Sequence, residues 1–325
     1  MPIALDVATN GGNSGAATVN SFSWNHTCTG SNLILIVAIA DGTGTTTGVT
    51  YNNVSLTKIN GTGYGTSLWY LINPATGTHS VVVSRTNNQA SSLGGVSASY
   101  SGVNQSSPID SSNAITGTYG STDPLTVSTT VVKPNCWLVG TAIYFFGTST
   151  RTLSSNRTSR GSWSNIVAGG GTAMIMSDSN GTISTGSQGT VFTPSGTPNY
   201  GFSGVVASIA PLPDAPTVTT QSATNVAQTS CTGNGNITAT GGENCTRRGF
   251  CYKVGTSGDP TTSDSVAYDD GSFGTGAFTK SITGLTPNTS YRVRAYAVNS
   301  AGTSYGTTVQ VTTLKAFKPR TMWFN

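Results

Sequence analysis

Residues 278–313 read FTKSITGLTPNTSYRVRAYAVNSAGTSYGTTVQVTT. From Tyr291 the side chains alternate, with Tyr291, Val293, Ala295 and Ala297 on one face and Arg292, Arg294, Tyr296 and Val298 on the other. A period of two marks a strand with one buried face. Asn299-Ser300-Ala301-Gly302 supplies turn chemistry, and Tyr305 to Thr313 reads as the next strand. Upstream, Leu285-Thr286-Pro287 followed by Tyr291 has the form of a tyrosine corner, in which the ring packs inside and the hydroxyl bonds to upstream backbone.

Working outward, residues 231–257 read CTGNGNITATGGENCTRRGFCYKVGTS. With 278–313 this resembles the bacterial variety of the fibronectin type III domain, where an Asn-Gly-Asn strand and a GGE turn precede an RGF-type strand. The resemblance implies a β-sandwich over 217–314 that holds, spaces and presents rather than catalyses. It departs from the pattern at Cys231, Gly233 and Cys245, where larger or aliphatic residues are expected, so the packing of the second and third strands is the open question. Pro211-Leu212-Pro213-Asp214-Ala215-Pro216 reads as a semi-rigid connector, setting the boundary at 211–216.

Residues 1–210 carry short apolar runs separated by Gly, Asn, Pro and Thr, with no helical period, which predicts an all-β sandwich of jelly-roll type. Leu33 to Ala40 is apolar on both faces and should lie centrally, covered on each side. Gly95 to Tyr100 alternates small polar with apolar residues, which reads as a strand with one face open to water. The blocks VTYNNVSLTKI, SLWYLINPATGTHSVVV and ASYSGVNQSSPIDSS resemble an N-terminal β-sandwich of phage virion proteins and bacterial surface proteins. Trp69, Tyr70 and Trp137 within it read as core aromatics.

Composition narrows the function. Charged residues are 8% of the chain, against about 25% in an average globular domain. The net charge of +4 is spread without a basic cluster, which argues against nucleic acid as partner. The longest apolar run, Leu33 to Ala40, is far short of a membrane span. The opening MPIALDVATNGG lacks a secretory signal. Three expectations follow from it: another export route, a removed signal, or release by lysis. Five cysteines cannot all pair within one chain, and none has CxxC spacing. Cys136 and Cys251 read as buried thiols, while a bridge between Cys231 and Cys245 stays open.

Chemistry-bearing motifs are sparse. Glu243 is the single glutamate, and Asp41, Asp110, Asp123 and Asp178 are the aspartates from which a glycosidase pair would have to come. His26 and His79 read as solvated loop or strand-edge residues. No nucleophile elbow, zinc helix, phosphate loop or dinucleotide fingerprint occurs; the expectation is no enzyme, no cofactor and no metal. Asp178-Ser179-Asn180-Gly181 and Asp269-Asp270-Gly271 set oxygen ligands beside glycine turns, but neither has the spacing of a complete calcium loop. Asn-x-Ser/Thr sequons such as Asn25, Asn60, Asn180 and Asn288 are expected by chance in so Asn- and Thr-rich a chain.

Two sets of residues read as contact surfaces. Tyr51, Tyr64, Tyr119, Trp163 and Tyr200 lie beside glycine-rich loops, where aromatic rings either stack on glycans or anchor loops over the sandwich ends. At 315–325 the chain reads KAFKPRTMWFN, and Phe317, Lys318, Arg320, Met322, Trp323 and Phe324 form a docking tail for a neighbouring subunit. Together these readings point to a two-domain structural protein of a bacteriophage virion, either capsid decoration or a tail or fibre component. The expected partners are capsid or tail subunits, further copies of the chain and host-surface glycans. The expected place is the virion surface, after assembly in the bacterial cytoplasm. The rival is a bacterial cell-surface adhesin or carbohydrate-binding protein.

Overall fold

The computed structural model of the chain describes residues 2–15, 18–42, 46–63, 65–90, 92–117, 124–146, 152–167, 170–195 and 201–316. Every regular element among them is a strand. The chain divides into two compact units, Met1–Leu212 and Pro213–Asn325.

Unit one, read from sequence as one sandwich, contains two. The first is built from β1 (Ala4–Asn13), β2 (Thr18–Cys28), β3 (Ile34–Asp41), β4 (Thr46–Tyr51), β5 (Val54–Ser55), β6 (Thr57–Gly61), β7 (Thr66–Ile72), β8 (Gly77–Ala90) and β9 (Leu93–Ser101). Its sheets run β1-β9-β3-β7-β6 and β2-β8-β4-β5. The second is built from β10 (Ile109–Thr116), β11 (Leu125–Val131), β12 (Trp137–Phe146), β13 (Leu153–Ser155), β14 (Thr158–Val167), β15 (Gly170–Asp178), β16 (Gly186–Pro194) and β17 (Gly201–Ile209). Its sheets run β10-β17-β12-β15-β14 and β11-β16-β13. Strand for strand, β1, β2, β3, β4, β6, β7, β8 and β9 correspond to β10 through β17, and only the two-residue β5 lacks a counterpart. Each half is a jelly roll, with strands exchanged between two packed antiparallel sheets.

The two rolls meet through their corresponding larger sheets. Ile34, Ile36, Ala38 and Ala40 of β3 share one core with Trp137, Val139 and Ile143 of β12 and Val205, Ala207 and Ile209 of β17. The opposite face of β3, with Leu35, Val37 and Ile39, packs inside the first roll on Trp24, Val49 and Val81. Leu138, Ala142 and Tyr144 of β12 do the same inside the second, against Val127 and Phe192. Both central strands are therefore covered on each side, as the doubly apolar Leu33–Ala40 run requires. Each fully buried aliphatic side chain contributes about 1.5–3 kcal/mol, so this central core welds the rolls into a four-layer body. Polar groups cross the seam too: Thr62 and Thr66 reach the Ser203 hydroxyl, both at 3.0 Å, and Asn10 donates to the Ser162 carbonyl at 2.7 Å.

Strand β9 corrects one expectation. Its polar face is not open to water, since Ser97 and Ser99 are fully buried. Trp24 and His26 of β2 lie over them, and the small serine side chains leave room for those rings. The hydroxyls are satisfied there: Trp24 donates its indole N–H to Ser97 at 3.0 Å, and Ser99 donates to Asp6 at 2.7 Å.

Unit two contains β18 (Thr217–Thr224), β19 (Ser230–Ala239), β20 (Cys245–Val254), β21 (Ser265–Phe273), β22 (Gly276–Thr283), β23 (Ser290–Asn299), β24 (Gly302–Tyr305) and β25 (Val309–Thr312). One sheet runs β18-β19-β22, the other β21-β20-β23-β24 with β25 also on β23. This is a fibronectin type III-like sandwich. The backbone N–H of Thr286 donates to the Tyr291 hydroxyl at 2.8 Å, which closes the tyrosine corner. One of the departing positions, Gly233, has a cause that it shares with Gly235 on the same strand. A Cβ on Gly233 would stand 2.8 Å from the Phe250 ring, and one on Gly235 2.7 Å from the Phe278 ring. Those rings pack at 5.4 Å between centroids, so β19 gives up side chains to admit an aromatic pair.

Candidate functional site

The residues expected to bind glycans do not form an exposed platform. Tyr51 is fully buried, and its hydroxyl donates toward the carbonyls of Ala75 and Gly77, both at 3.1 Å. Burial holds its phenol above the usual range. Trp163, 8% exposed, belongs to the core between the rolls. Both rings anchor rather than stack on a ligand, because the strands carrying them turn those side chains inward. Tyr64, Tyr119 and Tyr200 lie outside the described residues, as do Phe317, Lys318, Arg320, Met322, Trp323 and Phe324 of the tail. Trp69 and Trp137 are buried and Tyr70 is half-buried, in keeping with core roles.

Of the four aspartates considered for hydrolysis, the three among the described residues are engaged by neighbours. Asp41 is fully buried and accepts from Arg85 at 3.2 Å and from Thr46 at 2.9 Å. Asp178, also fully buried, takes a two-pronged bond from Arg160 and one from the Tyr100 hydroxyl at 2.8 Å. That contact pins β9 of the first roll to β15 of the second. Burial, followed by the Asp178 charge, keeps the Tyr100 phenol protonated. Asp110 accepts the backbone N–H groups of Val132 and Lys133 at 2.9 and 3.2 Å, holding the turn after β11. Asp123 lies outside the described residues.

The two glycine turns weighed for calcium are filled by cations of the protein itself. Arg160 donates to both Asp178 and Asn180, while Lys280 holds Asp269 and Arg247 holds Asp270. Among the described residues no group of three or more His, Cys, Asp or Glu side chains is placed to hold a metal. All five cysteines are buried free thiols, and burial raises Cys136 to about 12 and Cys251 to about 11. Thiols held so far from ionisation are poor nucleophiles at neutral pH.

His26 is a correction. It is 1% exposed and sits within β2, not in a solvated loop. Its Nδ1 lies 2.8 Å from the Thr9 hydroxyl and its Nε2 3.2 Å from that of Ser99. Since Ser99 gives its proton to Asp6, the consistent tautomer carries hydrogen on Nε2 and accepts at Nδ1. Burial lowers the imidazole to about 4. Burial also opposes the Asp6 charge, but hydrogen bonds from Thr29 and Ser99 outweigh it and hold that carboxyl below its ordinary value. Serine, histidine and aspartate meet here in the wrong order for nucleophilic catalysis. Asp6 bonds the serine, while hydroxyls of Thr9 and Ser97 sit at the far nitrogen of the ring, so no carboxylate orients His26 as a base toward Ser99.

A surface depression does occur on unit two. It is a shallow groove of about 450 Å³ on the outer face of the β21-β20-β23-β24 sheet. Arg247, Asp270, Tyr296 and Val298 line it, with Thr262, Val266 and Thr303 around them. Sequence alternation placed Tyr296 on the outer face of β23, but nothing in the alternation marked it as 1% exposed.

No family model matches the chain, and no curated protein matches it. Among solved structures it is similar to the sensor domain of the anti-sigma factor RsgI4 from Pseudobacteroides cellulosolvens, at 14% identity and a TM-score of 0.25, over 31% of this chain and 96% of that one. A two-domain fibronectin type III segment of chicken tenascin aligns at 13% identity and a TM-score of 0.25, over 63% of this chain and all of that one. The FN1–FN3 domains of chicken CNTN1 align at 12% identity and a TM-score of 0.25, over 97% and 98%. Likenesses of this depth say nothing about ligand or role.

Proposed function

We propose that the chain is a non-enzymatic structural protein of a bacteriophage particle, a capsid decoration or a tail or fibre component. The observation that carries this reading is the pair of topologically matched jelly rolls fused through a common core. Jelly rolls are an architecture of viral capsid and lectin domains. Fusing two of them through their larger sheets gives a thick body suited to bearing and spacing neighbours. Low charge and abundant hydroxyl groups suit a surface that meets repeated copies without strong long-range repulsion. On the sequence, the aromatic and basic residues of 317–325 dock onto an adjacent capsid or tail subunit, and many identical contacts multiply their affinity. The fibronectin type III-like unit then acts as a spacer or display module at the virion surface.

The test is to raise antibody against residues 1–212 and probe particles purified from a lysate of the source culture. The account predicts co-purification of the chain with particles and regular immunogold labelling. A chain absent from particles and recovered with the cell envelope overturns it in favour of a cell-surface binding protein.

A further inference from the structure

The two jelly rolls agree in more than strand order. Setting Ile34 of β3 on Trp137 of β12 brings the irregularities of both larger sheets into coincidence. β1 bulges at Asp6, between the pairs Leu5–Tyr100 and Val7–Ser99, and β10 bulges at Asp110, between Ile109–Ile209 and Ser111–Ser208. β6 bulges at Ile59 and β14 at Arg160, again in matching register. The two bulge aspartates make the same bonds. Asp6 accepts from the Ser99 hydroxyl at 2.7 Å and from the Thr29 N–H at 3.1 Å, in the turn after β2. Asp110 accepts from the Ser208 hydroxyl at 3.1 Å and from the Val132 N–H at 2.9 Å, in the turn after β11. Left-handed backbone recurs as well. Asn32 and Asn135, with φ of 51° and 60°, stand at the same place before Ile34 and Trp137, and Gly77 and Gly186 open β8 and β16 with φ of 97° and 99°. Unrelated rolls readily share a topology, but a bulge is a specific feature that persists within a family.

The packing of the rolls obeys one symmetry. Exchanging first roll for second turns β1 on β14 into β10 on β6, turns β9 on β15 into β17 on β7, and returns β3 on β12 to itself. Each of these contacts occurs. Polar bonds mark them: Asn10 to Ser162 matches Asn60 to Ser112, and Tyr100 to Asp178 matches Thr66 to Ser203. The segments that leave the rolls also pair with each other around a bridge between Val103 and Pro211. There the Leu212 N–H donates to the Gly102 carbonyl at 2.8 Å and the Asn104 N–H to the Ala210 carbonyl at 2.9 Å. A contact that survives exchange of its two sides is isologous, the two-fold form in which identical subunits meet. Its centre is apolar, with Ile34 and Ile36 facing Trp137 and Val139, as in homodimer interfaces.

We propose that unit one is a homodimer fused into one chain, and that the seam face of each larger sheet is a self-association surface whose partner is a second copy of the roll. The connector 102–108 is then a tether, and the seam itself holds the rolls together. The proposal is separate from the virion reading and holds whether or not the chain resides in a particle.

Two variants of the full chain test it. In the first, a protease recognition sequence is inserted after Gln105 and cut under native conditions. The pieces are expected to co-elute in gel filtration at the volume of the uncut chain and to part only in urea. In the second, the rolls exchange places: residues 109–210, a copy of 102–108, residues 5–101, then 211–325. A two-fold axis makes the path from Ala210 to Leu5 equal to that from Ser101 to Ile109, so the copied connector should span it. The permuted chain is expected to melt cooperatively and to elute with the wild type. Pieces that separate on cutting overturn the proposal. So does a permuted chain that does not fold while the cut chain stays together, because the rolls then associate without the two-fold axis.

Discussion

The two units place their few charges in opposite ways. Among the described residues of unit one the ion pairs are interior pins: both side chains of Asp41–Arg85 are 0% exposed, and Arg160–Asp178 is nearly as hidden at 10% and 0%. In unit two the pairs lie on sheet surfaces, as with Arg247–Asp270 at 41% and 59% and Lys280–Asp269 at 33% and 44%. An interior ion pair adds little net stability but specifies geometry, because breaking it strands a charge out of reach of water. A surface pair is screened and nearly neutral to stability. The comparison teaches that the jelly-roll body spends its charge on fixing one arrangement, whereas the fibronectin-like module leaves its charge available at the surface.

The largest expected effect comes from stranding a charge in unit one. Arg85→Met leaves the Asp41 carboxylate buried without its cation and should cost about 3–5 kcal/mol. Urea denaturation followed by tryptophan fluorescence in a Trp323→Phe background reads unit one selectively, since the other four tryptophans, Trp24, Trp69, Trp137 and Trp163, all lie there. The double variant Asp41→Asn with Arg85→Met should recover much of the loss. No recovery would mean that Arg85 acts through packing instead.

Next comes acid. His26 has a folded value of about 4 against an ordinary 6.5, so the unfolded chain binds its proton first. Stability of unit one should be flat above pH 6.5, fall as pH drops toward 4, and lose about 3 kcal/mol in all from this residue. Asp6, held below its ordinary value, gives up its own contribution at lower pH still. Melts of His26→Gln across this range should be flatter than wild type between pH 6.5 and 4. An unchanged slope would show that His26 is not the group that titrates.

Within unit two the interior still matters more than the surface. Tyr291→Phe removes the acceptor for the Thr286 N–H and should cost about 1–3 kcal/mol, measured as the lower of two calorimetric transitions or as earlier amide exchange in 278–313. Lys280→Met, which breaks the surface pair with Asp269, should leave the melting curve where it was. A large loss from Lys280→Met would erase the contrast between the units.

How much of this could be read from sequence varies with the physics of each element. The alternation at Tyr291–Val298 appears directly as β23, because one face of that strand meets core and the other does not. The doubly apolar Leu33–Ala40 run likewise declared a central strand. The second jelly roll was not legible. β3 reads ILIVAIAD and β12 reads WLVGTAIYFF, so the rolls share a topology and a doubly buried central strand with little sequence in common. Ser97 and Ser99 misled for a related reason: a serine paired with a buried tryptophan or histidine looks like one paired with water. His26 followed, since its burial depends on Ser97 and Ser99 of β9, more than seventy residues away. Among the candidate sites, Tyr51 and Trp163 had the residue type and the loop context of ligand platforms, but side-chain direction across two packed sheets decided against them.

The central claim is that this chain is a building block held in place by its neighbours, and cryo-electron microscopy of the native particle tests it most directly. The account predicts density for the double jelly roll at regularly repeated positions, with residues 317–325 seated on an adjacent subunit. Particles whose density leaves no place for the four-layer body, with the chain recovered free as a monomer, would contradict it.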